Sequence, residues 1–255
     1  YELGADINIP SYNGTTPLCV ATRGGHLDAI RLLCKLGADI NTPNLNGTTA
    51  ICIASCQGNP EIIELLCELG ADVNIPSSTG ITPVCIAAQE GHVNAIRVLY
   101  KYGARLHEVS QNGTTPLWIA AQEGRDDVIE VLAELSIDIF INEIRTIGTT
   151  PIWIAACQGY DTTIKLLNSY GCDINSSNTL NGTTPVCVAA QAGHANSIYI
   201  LEKCNADIDQ PTHSGITPVC VAAGVGQHKT QDLLIQMGCS IELLMSSTNS
   251  PLLNL

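Results

Sequence analysis

The sequence predicts an all-α solenoid of seven helix-turn-helix repeats with partial repeats at both ends, and three observations carry that prediction. A Gly-x-Thr-Pro pattern (Thr-Ala in the second copy) recurs at Gly14, Gly47, Gly80, Gly113, Gly148, Gly182 and Gly215, with separations of 33, 33, 33, 35, 34 and 33 residues. Self-similarity at this period is the signature of stacked repeats. Within each unit two short apolar stretches are each closed by a glycine, which reads as a pair of helices. Finally, 45% of the 255 residues are hydrophobic while aromatics make up only 4%. That is enough for a continuous core, but one filled by Leu, Ile, Val, Ala and Cys, whose small side chains suit closely packed short helices.

Taken in order, the chain opens with Gly4-Ala5-Asp6-Ile7-Asn8, so residues 1–10 read as the tail of an earlier copy. Repeats then begin near residues 12, 45, 78, 111, 146, 180 and 213, and 246–255 starts a further or capping repeat in which Ser250-Pro251-Leu252 takes the Thr-Pro-Leu place. The whole of 1–255 is read as one domain. Both ends are expected to be cut from a longer protein, unless the last segment is a degenerate cap. In the first full unit the second Thr of Gly14-Thr15-Thr16-Pro17 is placed to cap a helix with its hydroxyl, and Pro17 fits the first helical position, where an N–H has no partner to lose. Gly25 stops that helix, with Gly58, Gly91, Gly124, Gly159, Gly193 and Gly226 in the matching places. A second helix passes through Ala29-Ile30-Arg31-Leu32-Leu33 and ends at Gly37, where a left-handed residue closes its C-terminus. Helices this short fall below the ~12–15 residues at which isolated helices become marginally stable, so no unit folds without its neighbours. The junction at 136–148 is expected to be the weakest, because Ser136 replaces the terminating glycine and the spacing lengthens to 35.

With Gly-x-Thr-Pro-Leu, the paired alanines, Gly-His and Leu-Leu-x-x-Gly-Ala-Asp-Val-Asn all on the page, the units resemble ankyrin repeats over essentially the whole chain. The resemblance implies an ankyrin-repeat solenoid with a concave face made by hairpin tips and first helices, and protein binding through variable positions on it. One departure is systematic. The family's His is replaced by Cys19, Cys52, Cys85, Trp118, Trp153, Cys187 and Cys220.

The twelve cysteines follow the repeat. Stacked copies lie ~8–10 Å apart, beyond disulfide reach, so free thiols are expected. Cys52 and Cys56 share a helix face but have no third ligand nearby in sequence, and no metal or other cofactor is expected. His26, His92 and His194, at the family's Gly-His place, are assigned a structural, helix-starting role. Nothing resembles a Walker loop, a His-Glu-x-x-His helix or a nucleophile elbow, so the chain is expected not to be an enzyme. A formal charge of −13 disfavours nucleic acid and anionic membranes. No apolar run reaches the ~20 residues needed to span a bilayer, and no signal peptide is recognisable. A monomeric, intracellular, cytoplasmic domain is therefore expected.

Charges on the outer helices alternate down two columns. One is Arg31, Glu64, Arg97, Glu130 and Lys165; the other is Lys35, Glu68, Lys101 and Glu134. They read as a salt-bridge ladder across repeats, worth ~0–1 kcal/mol per pair, which argues against a charged docking site on that face. Asp6, Asp39, Asp72, Asp138, Asp173 and Asp207 form another column, read as carboxylates accepting backbone N–H bonds in the Gly-Ala-Asp turn. Asn41, Asn74 and Asn175 stand in Leu-x5-Asp-Ile/Val-Asn, a spacing that resembles the sites of asparagine hydroxylation in some ankyrin repeats. The competing reading is a turn asparagine bonding local backbone.

The binding surface is expected at the hairpin tips, Tyr12, Leu45, Gln111, Leu180 and His213. Gln89, Glu90, Gln122 and Glu123 continue it along the first helices, with Gln57, Gln158 and Gln191 nearby. Trp118 and Trp153 either anchor a partner or fill the space of the family's His. No Lys or Arg lies between Lys35 and Arg97, which favours a protein or peptide with basic residues. The function expected is a non-catalytic binding scaffold. The alternatives are a recruiting or tethering module of a larger enzyme, channel or receptor, and a hydroxylation substrate.

Overall fold

The computed structural model describes residues 6–12, 14–107, 110, 113–135 and 148–240. Among them are seven helix pairs and no strand. The pairs are α1 (Pro17–Arg23) with α2 (Leu27–Lys35), α3 (Ala50–Gln57) with α4 (Pro60–Glu68), α5 (Pro83–Glu90) with α6 (Val93–Lys101), and α7 (Pro116–Gln122) with α8 (Asp126–Leu135). They continue as α9 (Pro151–Gln158) with α10 (Asp161–Ser169), α11 (Pro185–Ala192) with α12 (Ala195–Lys203), and α13 (Pro218–Gly224) with α14 (His228–Gln236). The chain divides into two compact units, residues 1–120 with 127–139 and residues 121–126 with 140–255. The further or capping repeat expected to start at 246–255 and the 136–147 junction lie outside the described residues.

Within each unit first helices stack on first helices and second helices on second helices. The first helices are apolar all round because both flanks are covered. Ala87, Ala88, Ala155, Ala156, Ala189 and Ala190 are fully buried, and their single methyl groups let neighbouring backbones approach. The second helices are one-sided, with Ile63, Leu66, Ile96, Leu99, Ile164 and Leu167 facing the core. Burying each such side chain contributes about 1.5–3 kcal/mol.

The expected stops are in place. Gly58, Gly91, Gly159 and Gly193 close their helices in the left-handed conformation, and Asn205, at φ 65°, takes the place held by Gly37, Gly70, Gly103, Gly171 and Gly238 after five of the other second helices. The threonine caps divide. Thr16, Thr115, Thr150 and Thr184 accept a backbone N–H from the residue three ahead, as expected. Thr49 and Thr217 instead donate their hydroxyls to the thiols of Cys52 and Cys220 at 3.3 Å, a competing partner that the family's pattern does not offer. The Thr82 hydroxyl is buried without a partner.

The ladder also differs from its expected form. The ion pairs are Lys101–Glu64, at 2.6 Å, and Arg97–Glu134. Each joins the two charge columns diagonally instead of running down one of them. Long helical side chains lean toward the helix N-terminus, so a residue one turn further along reaches back to its neighbour's level. Unit two shows the same offset in uncharged form. Thr163 Oγ1 donates to Asp126 at 2.5 Å, Ser197 Oγ donates to Asp161 at 2.6 Å, and Asn196 Nδ2 donates to the same carboxylate.

Candidate functional site

The hairpin tips are built as closed four-residue turns. In the second repeat Asn44 N–H donates to Thr48 O and Gly47 N–H donates to Asn44 O. The tips are then tied to one another. Ser78 presents its N–H and its hydroxyl to Asn46 O at 3.1 and 2.8 Å, and His213 N–H donates to Asn181 O at 3.0 Å. Gly47 and Gly182 are dictated by this approach. At Gly47 a Cβ would stand 2.2 Å from Ser78 N, and the residue's φ is +72°. Tip side chains are thereby held outward on an ordered backbone. Tyr12 is fully exposed at 104%, Leu45 is 76% exposed and Leu180 72%, and His213 is exposed as well. Gln111 lies outside the described residues.

At the base of the tips runs a second set of cross-repeat bonds. Asp6, Asp39, Asp72, Asp173 and Asp207 each accept the N–H two residues on, as expected for that column; Asp138 lies outside the described residues. The asparagines depart from the local-turn reading, because their partners lie about one repeat away. Asn8, Asn41 and Asn74 each accept the N–H of Asp39, Asp72 and Arg105, respectively, in the next repeat at 2.9–3.0 Å. Each also donates its amide N–H to the carbonyl of Gly37, Gly70 or Gly103. Asn175 accepts from Asp207 N–H at 2.7 Å. Two of the three asparagines considered for hydroxylation, Asn41 and Asn74, thus use both ends of the amide to hold repeats together.

The histidines keep the structural, helix-starting place expected of them, and two of them also reach across a junction. His26, His92 and His194 stand at helix N-caps, yet none caps its own helix. The ring N–H of His92 donates to Cys56 O at 3.0 Å and that of His194 to Cys157 O at 3.1 Å. Each pins the preceding first helix.

Along the first helices of unit one, Gln57, Gln89 and Glu90 are exposed; Gln57 Nε2 donates to Arg23 O at 2.8 Å, which fixes its amide. In unit two, Gln158 is exposed and Gln122, Glu123 and Gln191 are half-buried. The two tryptophans part company. Trp118 is buried, with 5% of its surface exposed, so it fills core and the anchor reading does not hold for its ring. Trp153 is half-buried and donates its indole N–H to Thr183 O at 3.0 Å, which leaves one edge of the ring open beside the tip of the next repeat. Two exposed residues of α1, Val20 and Arg23, escape the sequence reading; Arg23 lines a surface groove with Ser11, Tyr12 and Thr15. No signal identifies Val20, since the same position is apolar in every copy and is buried in most of them.

Burial raises several thiols above their ordinary range, Cys34, Cys52, Cys157 and Cys187 among them. Burial, with Glu64 and Glu68 nearby, pushes the Cys67 thiol up to about 12. Burial and Asp209 push Cys239 up to about 12 as well. Among the described residues no group of three His, Cys, Asp or Glu side chains is placed to hold a metal ion, and no helix is long and apolar enough to cross a membrane.

A family profile described as ankyrin repeats in three copies matches residues 2–77, 70–143 and 152–245. Among solved structures, the human ASB11 ankyrin repeat domain is similar at 23% identity and a TM-score of 0.77, covering 88% of this chain and 99% of its own. The ankyrin repeat domain of Bcl-3, described as a unique member of the IkappaB protein family, is similar at 22% identity and a TM-score of 0.75, with the same coverage. Among curated proteins none matches the chain.

Proposed function

Since the chain belongs to the ankyrin-repeat family, whose members are in general protein-interaction modules, we propose that it is a non-catalytic scaffold. It holds a protein or peptide through its hairpin tips and the exposed ends of its first helices. One observation carries this reading. The tips that carry Leu45 and Leu180 are tied to the next repeat by backbone hydrogen bonds, while Tyr12, Leu45 and Leu180 project largely into solvent. An exposed apolar side chain on a rigid backbone loses little further entropy on binding and gains its buried area, which is the economy of an interaction surface.

The partner we infer carries basic residues. Between Lys35 and Arg97 the exposed charges are Asp39, Glu61, Glu68, Asp72 and Glu90, so the local field attracts cations and speeds their encounter. The test is calorimetry with a captured partner. Glu90→Lys combined with Glu123→Lys, one acid from each unit, is expected to weaken binding by more than ~1.4 kcal/mol, a factor of ten. Melting should stay nearly unchanged. Reversal of Glu64 with Glu130 on the second helices should perturb stacking more than binding. Loss of binding from that second pair alone, with the first pair silent, would place the docking face on the wrong helices.

A further inference from the structure

The second helices of unit one carry a pattern that stacking alone does not use. Reading α2, α4, α6 and α8 in turn, one level of the face shows Arg31, Glu64, Arg97 and Glu130, and the next turn shows Lys35, Glu68, Lys101 and Glu134. All eight side chains reach solvent, and the ion pairs of the ladder engage only Glu64, Arg97, Lys101 and Glu134 among themselves. A uniformly charged partner is repelled by half of such a face. The row plus, minus, plus, minus has a different complement, which is itself in reverse order.

We propose that this face is a self-association surface, on which a second copy of the chain docks with its repeats running in the opposite order. The two-fold axis lies parallel to the second helices, between α4 and α6. Such an axis reverses the order of the helices and keeps each level facing its own level, the self-complementary arrangement of an isologous dimer. Arg31 then meets the second copy's Glu130, Glu64 its Arg97, Lys35 its Glu134 and Glu68 its Lys101, with every pair opposite in sign and made twice. The even 33-residue spacing of these four copies keeps the rows in step. This departs from the monomer expected from the sequence. The face is also distinct from the tips and first helices assigned to the protein partner.

The dimer is weak. Four helices of nine or ten residues, at ~1.5 Å per residue and ~8–10 Å apart, present roughly 500 Å² in plan. Stable complexes bury ~800 Å² per partner.

The decisive experiment is a charge-reversal cycle on Arg31 and Glu130, read by sedimentation equilibrium of the whole chain from ~10 µM to ~1 mM. Within one molecule these residues are three repeats apart, ~24–30 Å, or about three Debye lengths at physiological salt, so they do not couple inside a monomer. The unaltered chain is expected to show a monomer–dimer equilibrium that 0.5 M salt shifts to monomer. Arg31→Glu alone and Glu130→Arg alone should each weaken the dimer about tenfold, because two attractive pairs become repulsive. The double variant should return to within about threefold of the original. Circular dichroism and melting of all three should match the original chain. A chain that is monomeric throughout the range, association indifferent to salt, or reversals whose effects simply add would each overturn the proposal. A heterologous partner for this face would leave the pure chain monomeric and so belongs to the first of those outcomes.

Discussion

At the scale of single residues, side chains that look alike in sequence are distinguished by what the next repeat offers them. Asn8, Asn41 and Asn74 both accept and donate across a junction. In the sixth repeat that position is Asp209, whose carboxylate accepts Ser240 N–H at 3.1 Å and has no N–H to give. Asp209→Asn restores the missing donor and is expected to stabilise the last helix pair by about 0.5–1.5 kcal/mol; hydrogen exchange of α14, with urea melts, measures it. The thiols give a pH dependence. Cys67 and Cys239 ionise near about 12 when folded, against an ordinary 9.0. The unfolded chain therefore releases these protons first as pH rises. Their contribution to stability is fully present below pH 9 and is lost between 9 and 12. Denaturant melts should show constant stability to about pH 8.5 and a decline above it. A reagent for thiols at pH 8 should modify exposed Cys56 while sparing Cys67 and Cys239 until the chain unfolds.

At the scale of elements, much was legible because each helix carries its own punctuation. Pro17 at the first position and Gly25 beyond the end place α1 without reference to anything distant, and the same marks recur in register. What stayed hidden is whatever depends on which residues face each other across a junction. The His92 and His194 pins, the diagonal ion pairs and the transferred asparagine bonds span 29 to 37 residues. Their offsets from the 33-residue period come from side-chain lean that a list of columns does not contain. The split between buried Trp118 and half-open Trp153 has the same origin, since both occupy one repeat position. Of the exposed apolar side chains, those at the tips were readable as turn positions and Val20 was not. Glycines at the tips allow a direct check. Gly47→Ala meets Ser78 N at 2.2 Å, whereas Gly70→Ala meets nothing within 4 Å. Both incur the left-handed backbone penalty of ~1–2 kcal/mol, so the Gly47 variant should lose more stability than the Gly70 variant in parallel urea melts.

At the scale of the whole molecule, the sequence leads us to expect the weakest junction at 136–148, and the chain passes between the two compact units at 120/121, 126/127 and 139/140. We expect thermal unfolding in two steps, one per unit, because a one-dimensional array separates where its nearest-neighbour coupling is poorest. Hydrogen exchange by mass spectrometry should show residues 17–101 and 151–236 opening with different free energies; a single step shared by both would argue for unbroken coupling. The cross-repeat bonds have one further consequence, which concerns inheritance. Because each bond joins a residue to a counterpart about one period away, the junctions are interchangeable parts. Deleting residues 45–77 brings Asn41 opposite Arg105, already the partner of Asn74, and sets the Gly14 turn against Ser78, already the neighbour of Gly47. The shortened chain should fold with one helix pair fewer and an otherwise unchanged helical spectrum. Loss or duplication of one unit in a gene of this kind therefore keeps the asparagine and tip junctions intact, so lineages can adjust the length of the array in steps of a single repeat at the cost of the charge alternation on the second helices.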